Sequence, residues 1–298
     1  MSRLNVNQQV PNLPLYYIGL PQWNHPAWNN TVHVDTGSPE TELARYSSFF
    51  NSVEGNNTFY GLPKRSTVQS WYHQTTEEFK FCLKLPQSIS HQSRLTDCAE
   101  QLTEFYQIFE QLNEKLGQIT IQLPASFGPD SLPVLEHFIT QLSSQYIYTL
   151  EVRHPGFFDK GDNEIRLNQL LIEQKVNRTM FDTRALFNLP ALDPAAIEAR
   201  KHKPNLPLHV IDTADAPVLR FITSMPFKDS LDWLNPWYRK VTQWIAQGKK
   251  PYLFFHTPDN NQAPELARHF SLKLQQQLST ADVIPEWPVA SNQQETLF

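Results

Sequence analysis

Cysteine and glycine are scarce in this sequence. Cys82 and Cys98 are the only cysteines in 298 residues. No disulfide framework can be built from them, and a reducing, cytoplasmic compartment is expected. Nine glycines leave no GxGxxG and no P-loop, which excludes a phosphate-cradling loop of either kind. No stretch approaches the roughly 18 consecutive apolar residues that span a bilayer. Met1–Val10 also lacks the apolar centre of a signal peptide, so no membrane association is expected. Charged residues make up only 18 % of the chain, below the roughly 25 % norm. Much of the missing polarity comes from 24 Gln and 19 Asn. Lys and Arg number 25 against 30 Asp and Glu, a formal charge of −5. A chain of that sign is not a general electrostatic binder of nucleic acid, and only a local basic patch could act as one.

Apolar material is plentiful: 40 % of residues are hydrophobic and 12 % aromatic. That suffices for one α/β barrel of about 250 residues or for two smaller domains. Short runs rich in β-branched and aromatic residues recur at Leu15–Leu20, Ser52–Asn56, Phe79–Leu85, Gln118–Leu123, Tyr148–Arg153, Arg178–Asp182, Pro217–Ile222 and Pro251–His256. Helical signals fall between them. Ser38-Pro39-Glu40 predicts a cap, and Asp97 with Glu100 has capping-box spacing before an apolar stripe from Leu102 to Leu112. Leu135–Leu142, Leu167–Leu171 and Trp237–Ile245 show the same period, the last stopping at Gly248, and Pro264 opens a final helix. Thr183–Asp215 is the weakest unit, with only a short helix at Asp193-Pro194 inside a proline-rich connection.

Eight strand–helix repeats predict a single-domain α/β fold, a TIM (β/α)8 barrel over residues 15–280. A polar arm at 1–14 and a polar tail at 281–298 flank it. Alternation favours a barrel over an open sheet. Ile119, Ile121 and Leu123 share one face of the fourth strand, and Thr120 and Gln122 share the other. Strands of a doubly covered sheet are apolar on both faces.

A barrel gathers the C-terminal ends of its strands at one mouth, where barrel enzymes build their sites. Glu54, Asn57, Lys84, Gln122, Glu151, Arg153, His154, Asp182, Arg220 and His256 are expected there, with His91 nearby. Three carboxylates, Glu54, Glu151 and Asp182, face three cations, Lys84, Arg153 and Arg220. That balance admits two readings, a catalytic site or an ion-pair lattice plugging the barrel. Glu54, Glu151, Asp182 and His256 could also form an oxygen-rich metal set. No HExxH or Cys/His spacing accompanies them, however, and the cations compete for the same carboxylates, so no metal and no organic cofactor is expected. Cys82 reads as a small buried residue, and Trp23 and Trp28 as a packing cluster or an aromatic lid after the first strand.

Several of these segments resemble a known family. Tyr17-Ile18-Gly19 with Trp23, Phe50-Asn51-Ser52-Val53-Glu54 and Asn57-Thr58-Phe59-Tyr60 carry the resemblance first. Phe79-Lys80-Phe81 with Lys84, Ile89-Ser90-His91, Leu116-Gly117, Gln122-Leu123-Pro124 and Glu151-Val152-Arg153-His154-Pro155 follow in order. Together they resemble the domain-of-unknown-function 72 family, the YecE-like bacterial proteins, from about Tyr16 to about Leu278. The resemblance implies a TIM barrel and brings no substrate with it. Two elements depart from the family pattern. Arg220-Phe221-Ile222-Thr223 stands where Arg-x-His-Gly is frequent, and Phe255-His256-Thr257-Pro258-Asp259 where an aromatic-Asn-Asn ending is frequent.

The functional expectation is an enzyme acting on a small polar or anionic substrate. Glu54 or Glu151 would be the general acid or base, Lys84 the electrostatic stabiliser, and Arg153 and Arg220 a bidentate anion clamp. A non-catalytic ligand-binding barrel is one alternative. Another is a nucleic-acid-processing or repair-associated barrel that docks on the sliding clamp. Its last residues, Gln294-Glu295-Thr296-Leu297-Phe298, resemble the Gln-x-x-Leu-Phe peptides that bind there.

Overall fold

The computed structural model describes residues 13–34 and 40–288. Eight parallel strands close into a barrel in sequence order. They are β1 (Tyr17–Leu20), β2 (Ser52–Gly55), β3 (Lys80–Lys84), β4 (Leu116–Gln122), β5 (Ile147–Glu151), β6 (Asn177–Asp182), β7 (Val218–Ile222) and β8 (Tyr252–His256). Every predicted strand is present, with ends shifted by one or two residues. The surrounding helices are α1 (Glu42–Ser47), α2 (Arg65–Gln74), α3 (Ala99–Phe109), α4 (Leu132–Thr140), α5 (Asp162–Glu173), α6 (Arg184–Asn188), α7 (Pro194–His202), α8 (Asn235–Ala246) and α9 (Ala263–Gln277). Among the described residues, no helix is long and apolar enough to cross a membrane.

Two helix starts differ from expectation. The side chain of Thr41 caps α1, accepting from Ala44 N at 3.2 Å, whereas Ser38 lies outside the described residues. Asp97 adopts a positive φ of 49° and Cys98 takes the cap position without a side-chain bond. The capping box therefore does not form, because its first residue is used in a left-handed turn. Gly248, with φ +77°, ends α8 as predicted, and a β-carbon would strain that conformation.

Strand alternation sorts the core into two layers. Ile18, Val53, Phe81, Ile119, Leu150 and Phe255 belong to the large cluster between strands and helices. Tyr17, Cys82, Ala216, Val218, Tyr252 and Phe254 form a separate cluster inside the barrel. Tyr17 stacks on Tyr252 with ring centres 4.5 Å apart, and Gln118 Nε2 donates to Ala216 O at 2.8 Å. The barrel floor is thus closed by packed rings together with neutral polar side chains such as Gln118 and Asn177, and the mouth at the strand C-termini carries the charges of Glu54, Lys84, Glu151 and Arg220. Gly19 permits the close approach of β1 to β2, since a β-carbon there would lie 2.1 Å from Ser52 O. Trp23 and Trp28 both pack on the core, each with its own partners. Trp23 meets Trp71 edge-on at 5.1 Å, and buried Trp28 donates Nε1 to Asn260 O at 2.9 Å.

The described part of the expected tail, residues 281–288, lies against the barrel. Ala281 and Ile284 are buried, Ile284 N donates to Ser271 Oγ at 3.1 Å, and Trp287 packs on Phe49 at 5.1 Å. Three apolar side chains spaced along a polar stretch are enough to hold it there. Gln294, Leu297 and Phe298 lie outside the described residues.

Candidate active site at the barrel mouth

A cavity of about 450 Å³ opens at the C-terminal ends of the strands. Pairing register explains which side chains meet there. Gln122 of β4 stands beside Glu151 of β5, and Phe181 of β6 beside Arg220 of β7. Period-two alternation then aims Glu54, Lys84, Gln122, Glu151, Phe181 and Arg220 inward.

Arg220 is the centre of the arrangement. Its Nη2 donates to Glu54 Oε2 at 3.0 Å, and its Nη1 to Glu151 Oε2 at 2.5 Å. Its Nε lies 2.6 Å from Glu54 Oε1, a close electrostatic contact without the direction of a hydrogen bond. The guanidinium also sits 4.6 Å over the Phe181 ring. Arg153 grips the other oxygen of Glu151, with Nε at 2.8 Å and Nη2 at 2.7 Å. Among the described residues, Arg153 Nη1 has no hydrogen-bond partner. Asn56 Nδ2 steadies Glu54 at 3.2 Å and reaches Pro21 O at 2.9 Å. Both carboxylates are therefore fully engaged.

Lys84 stands outside that chain. Its Nζ donates to Gln122 Oε1 at 2.7 Å, and among the described residues no carboxylate comes within ion-pair reach of it. Thr58 fixes its backbone: Thr58 Oγ1 donates to Lys84 O at 2.8 Å and accepts from Lys84 N at 3.1 Å. Burial, reinforced by the charge of Arg220, pushes the Lys84 ammonium down to about 8. Lys203, just past α7, enters the mouth from the β6–β7 connection and is lowered to about 8 by the same two causes. Burial alone would push the Glu151 carboxyl up, yet Arg220, Arg153 and Lys84 more than offset it and hold the group well below the usual range. Burial, with Arg220, Lys203 and Lys84 nearby, keeps His256 neutral at ordinary pH. Its Nε2 lies 3.5 Å from Glu54 Oε2 with no hydrogen-bond partner.

Asn57, Lys84, His91, Gln122, Arg153, Arg220 and His256 line the cavity as the sequence predicts. His91 is bonded to Ser90 Oγ at 2.9 Å. Glu54 and Glu151 lie one layer beneath, against the arginines. Two residues are placed elsewhere. Asp182 points out of the barrel, accepting from Arg184 Nη2 at 2.8 Å and from Trp237 Nε1 at 2.7 Å. On β6 the inward set is Asn177, Thr179 and Phe181, so the neighbouring aspartate falls on the opposite face. The His154 ring turns back to cap a short turn, accepting from Gly156 N at 3.0 Å. Arg220 does not offer an open clamp either, because the two carboxylates occupy it. Sequence reasoning missed Lys203 and Phe181. Parity along β6 carried the signal for Phe181, whereas nothing periodic marked Lys203. Cys82 is inert, since burial pushes its thiol up to about 12. Among the described residues, no group of three or more His, Cys, Asp or Glu is gathered as metal ligands would be.

Closed floor, polar mouth and parallel strands define a TIM-barrel protein with a cation-rich pocket at its strand C-termini. The chain belongs to the DUF72 family, described as a protein family of unknown function, which matches residues 17–291. It is 42 % identical over 284 residues to the UPF0759 protein YecE of Escherichia coli K12, covering 95 % of this chain and 100 % of that one. The UPF0759 protein YunF of Bacillus subtilis 168 is 24 % identical over 119 residues, 38 % of this chain and 41 % of that protein. Crystal structures of two DUF72 family proteins share the fold. That from Enterococcus faecalis V583 has a TM-score of 0.64 at 18 % identity, covering 89 % of this chain and 98 % of its own. That from Thermotoga maritima MSB8 has a TM-score of 0.63 at 20 % identity, covering 89 % and 99 %.

Proposed function

We propose that the barrel mouth is the active site of an enzyme that binds a small anionic molecule and acts on it by acid–base and electrostatic chemistry. One observation carries this reading. Four cations, Lys84, Arg153, Lys203 and Arg220, meet two carboxylates that the arginines already satisfy. A plug of paired charges has no need of the two remaining lysines, and burying Lys84 without a counter-charge is costly. An anionic ligand supplies the missing charge, and about 450 Å³ is the size of a small-molecule site.

The expected roles shift with the geometry. Lys84 and Lys203, with the open side of Arg153, face the ligand. Glu54 and Glu151 position the cations from beneath instead of meeting the substrate themselves. Held near neutrality, Lys84 is poised to donate or accept a proton close to physiological pH.

Phosphate, sulfate and small carboxylates, titrated at constant ionic strength, test the reading through thermal unfolding. Such anions are expected to raise the melting temperature, with affinity falling roughly tenfold or more in Lys84→Met while circular dichroism shows the fold retained. Equal responses in wild type and Lys84→Met, or none in either, would sink it. A ligand that binds and is never turned over would instead favour a non-catalytic binding barrel.

A further inference from the structure

We infer that Lys84 is a nucleophilic amine which forms an imine with a small aldehyde or ketone carrying an anionic group. The inference rests on the anion-binding reading of the mouth and deepens it by naming the substrate class.

A second buried lysine shows what a structural one looks like in this protein. Lys115 Nζ donates to Tyr72 O at 2.7 Å, Thr75 O at 2.8 Å and Thr75 Oγ1 at 3.2 Å. All three of its N–H groups are satisfied, and the residue ties α2 to the chain entering β4. Lys84 is equally buried, at 5 % exposure against 4 %, but has one acceptor, Gln122 Oε1. The rest of its nitrogen faces a cavity. An ammonium placed there for charge alone would have been given a carboxylate, and both available carboxylates are turned to arginines. Its burial and Arg220 beside it favour the uncharged amine, the form that attacks a carbonyl carbon. Gln122 and the Thr58 bonds to its backbone hold that amine in one position. Lys203 and Arg153 remain to hold the substrate's anionic group, which divides the cations into one nucleophile and a clamp.

The step balances without an outside reagent. The Lys84 ammonium gives one proton to solvent, and its lone pair forms the C–N bond while the carbonyl π pair moves to oxygen. That oxygen takes a second proton from nitrogen. The resulting hydroxyl leaves as water with the proton first released, and a protonated imine remains. Glu151, held ionised by Arg220 and Arg153, faces the new cation from below. His256, held neutral by burial and the neighbouring cations, stands on the same cavity wall.

Glyoxylate, an aldehyde with a carboxylate, is the probe. The full-length protein is incubated with it and cyanoborohydride, then mapped by peptide mass spectrometry. Of 13 lysines, Lys84 is expected to be alkylated roughly tenfold or more faster than any other. Phosphate should suppress the labelling, and the uncharged aldehyde glycolaldehyde should lose the preference. Lys203→Met should slow labelling of Lys84 severalfold without moving it elsewhere. Labelling spread over surface lysines with Lys84 at or below them overturns the inference, as does preferential labelling of Lys203. Thermal stabilisation by phosphate separates the two levels. If phosphate stabilises wild type and Lys84→Arg while Lys84 stays unlabelled, the imine is wrong and the anion site stands. If phosphate stabilises neither, the anion site itself falls.

Discussion

Two clusters of buried charge lie within this barrel, and they are built differently. Outside β6, Arg178 donates Nη1 to Glu164 Oε1 at 2.9 Å and to Asn168 Oδ1 at 2.7 Å, and Nη2 to Phe157 O at 2.8 Å. His209 Nδ1 meets the same Glu164 oxygen at 2.6 Å, and Lys160 N donates to the other at 2.9 Å. The Phe158 ring covers the guanidinium at 5.0 Å. Every group is answered by a neighbour, and the cluster clips α5, β6 and the segment around His209 together. Inside the barrel, the carboxylates are answered as completely, yet two lysines are left over beside a cavity. Buried charge that closes on itself is architecture; buried charge left over beside open space marks a place for something else.

The sharpest way to break this comparison is to remove one arginine from the closed cluster. Arg178→Met leaves Glu164 buried against an apolar side chain, and about 3–5 kcal/mol of stability should be lost. Urea denaturation measures the loss, while anion affinity in the folded fraction should be unchanged. A loss below about 1 kcal/mol would mean that the outer cluster is as dispensable as an exposed pair.

Lys84→Met should behave in the opposite way, and pH sharpens the contrast. The Lys84 ammonium falls from 10.5 to about 8 on folding, so the unfolded chain binds the extra proton between those values. Its burial therefore opposes folding below pH 8, and the penalty is relieved as pH rises from 8 toward 10.5. The penalty is on the order of 3 kcal/mol. Wild-type stability relative to Lys84→Met should accordingly rise across that window, and at pH 7 the variant should be the equal of wild type or more stable. Denaturation curves at pH 7, 8.5 and 10 test the sign, and a variant markedly less stable at pH 7 would make Lys84 a structural residue.

The same contrast explains what could be read from sequence. Eight strands were legible because each is a short run rich in β-branched and aromatic residues, and closure followed from the polar second face of strands such as β4. Lys84, Gln122 and Arg153 were legible because they end or follow such strands, and Arg220 because it is a lone charge inside one. Lys203 was not, since it lies past α7 in a proline-rich connection whose course is set by tertiary contacts. How the charges pair was hidden as well. Sequence supplied three carboxylates and three cations for the mouth, whereas the structure removes Asp182 and adds Lys203. A balanced set becomes a cationic one through two residues, and the choice between plug and site turns on them. Asp97 shows the limit of a local signal, because capping-box spacing is overridden where the turn takes a positive φ.

Asp182 provides the smallest and most selective test. It ends a barrel strand, carries a charge and is wholly buried, which is the description of a catalytic residue read from position alone. Its partners say otherwise: Arg184 and Trp237 occupy both oxygens on the helix side of β6. Asp182→Asn keeps the shape but gives up the charge-assisted bond to Arg184, which is itself partly exposed. A loss of about 1–2 kcal/mol in urea is expected, with phosphate binding and glyoxylate labelling of Lys84 unchanged. If the substitution weakened phosphate binding as much as Lys84→Met does, the outward face of β6 would be coupled to the mouth, and the separation between closed cluster and open site would not hold at that strand.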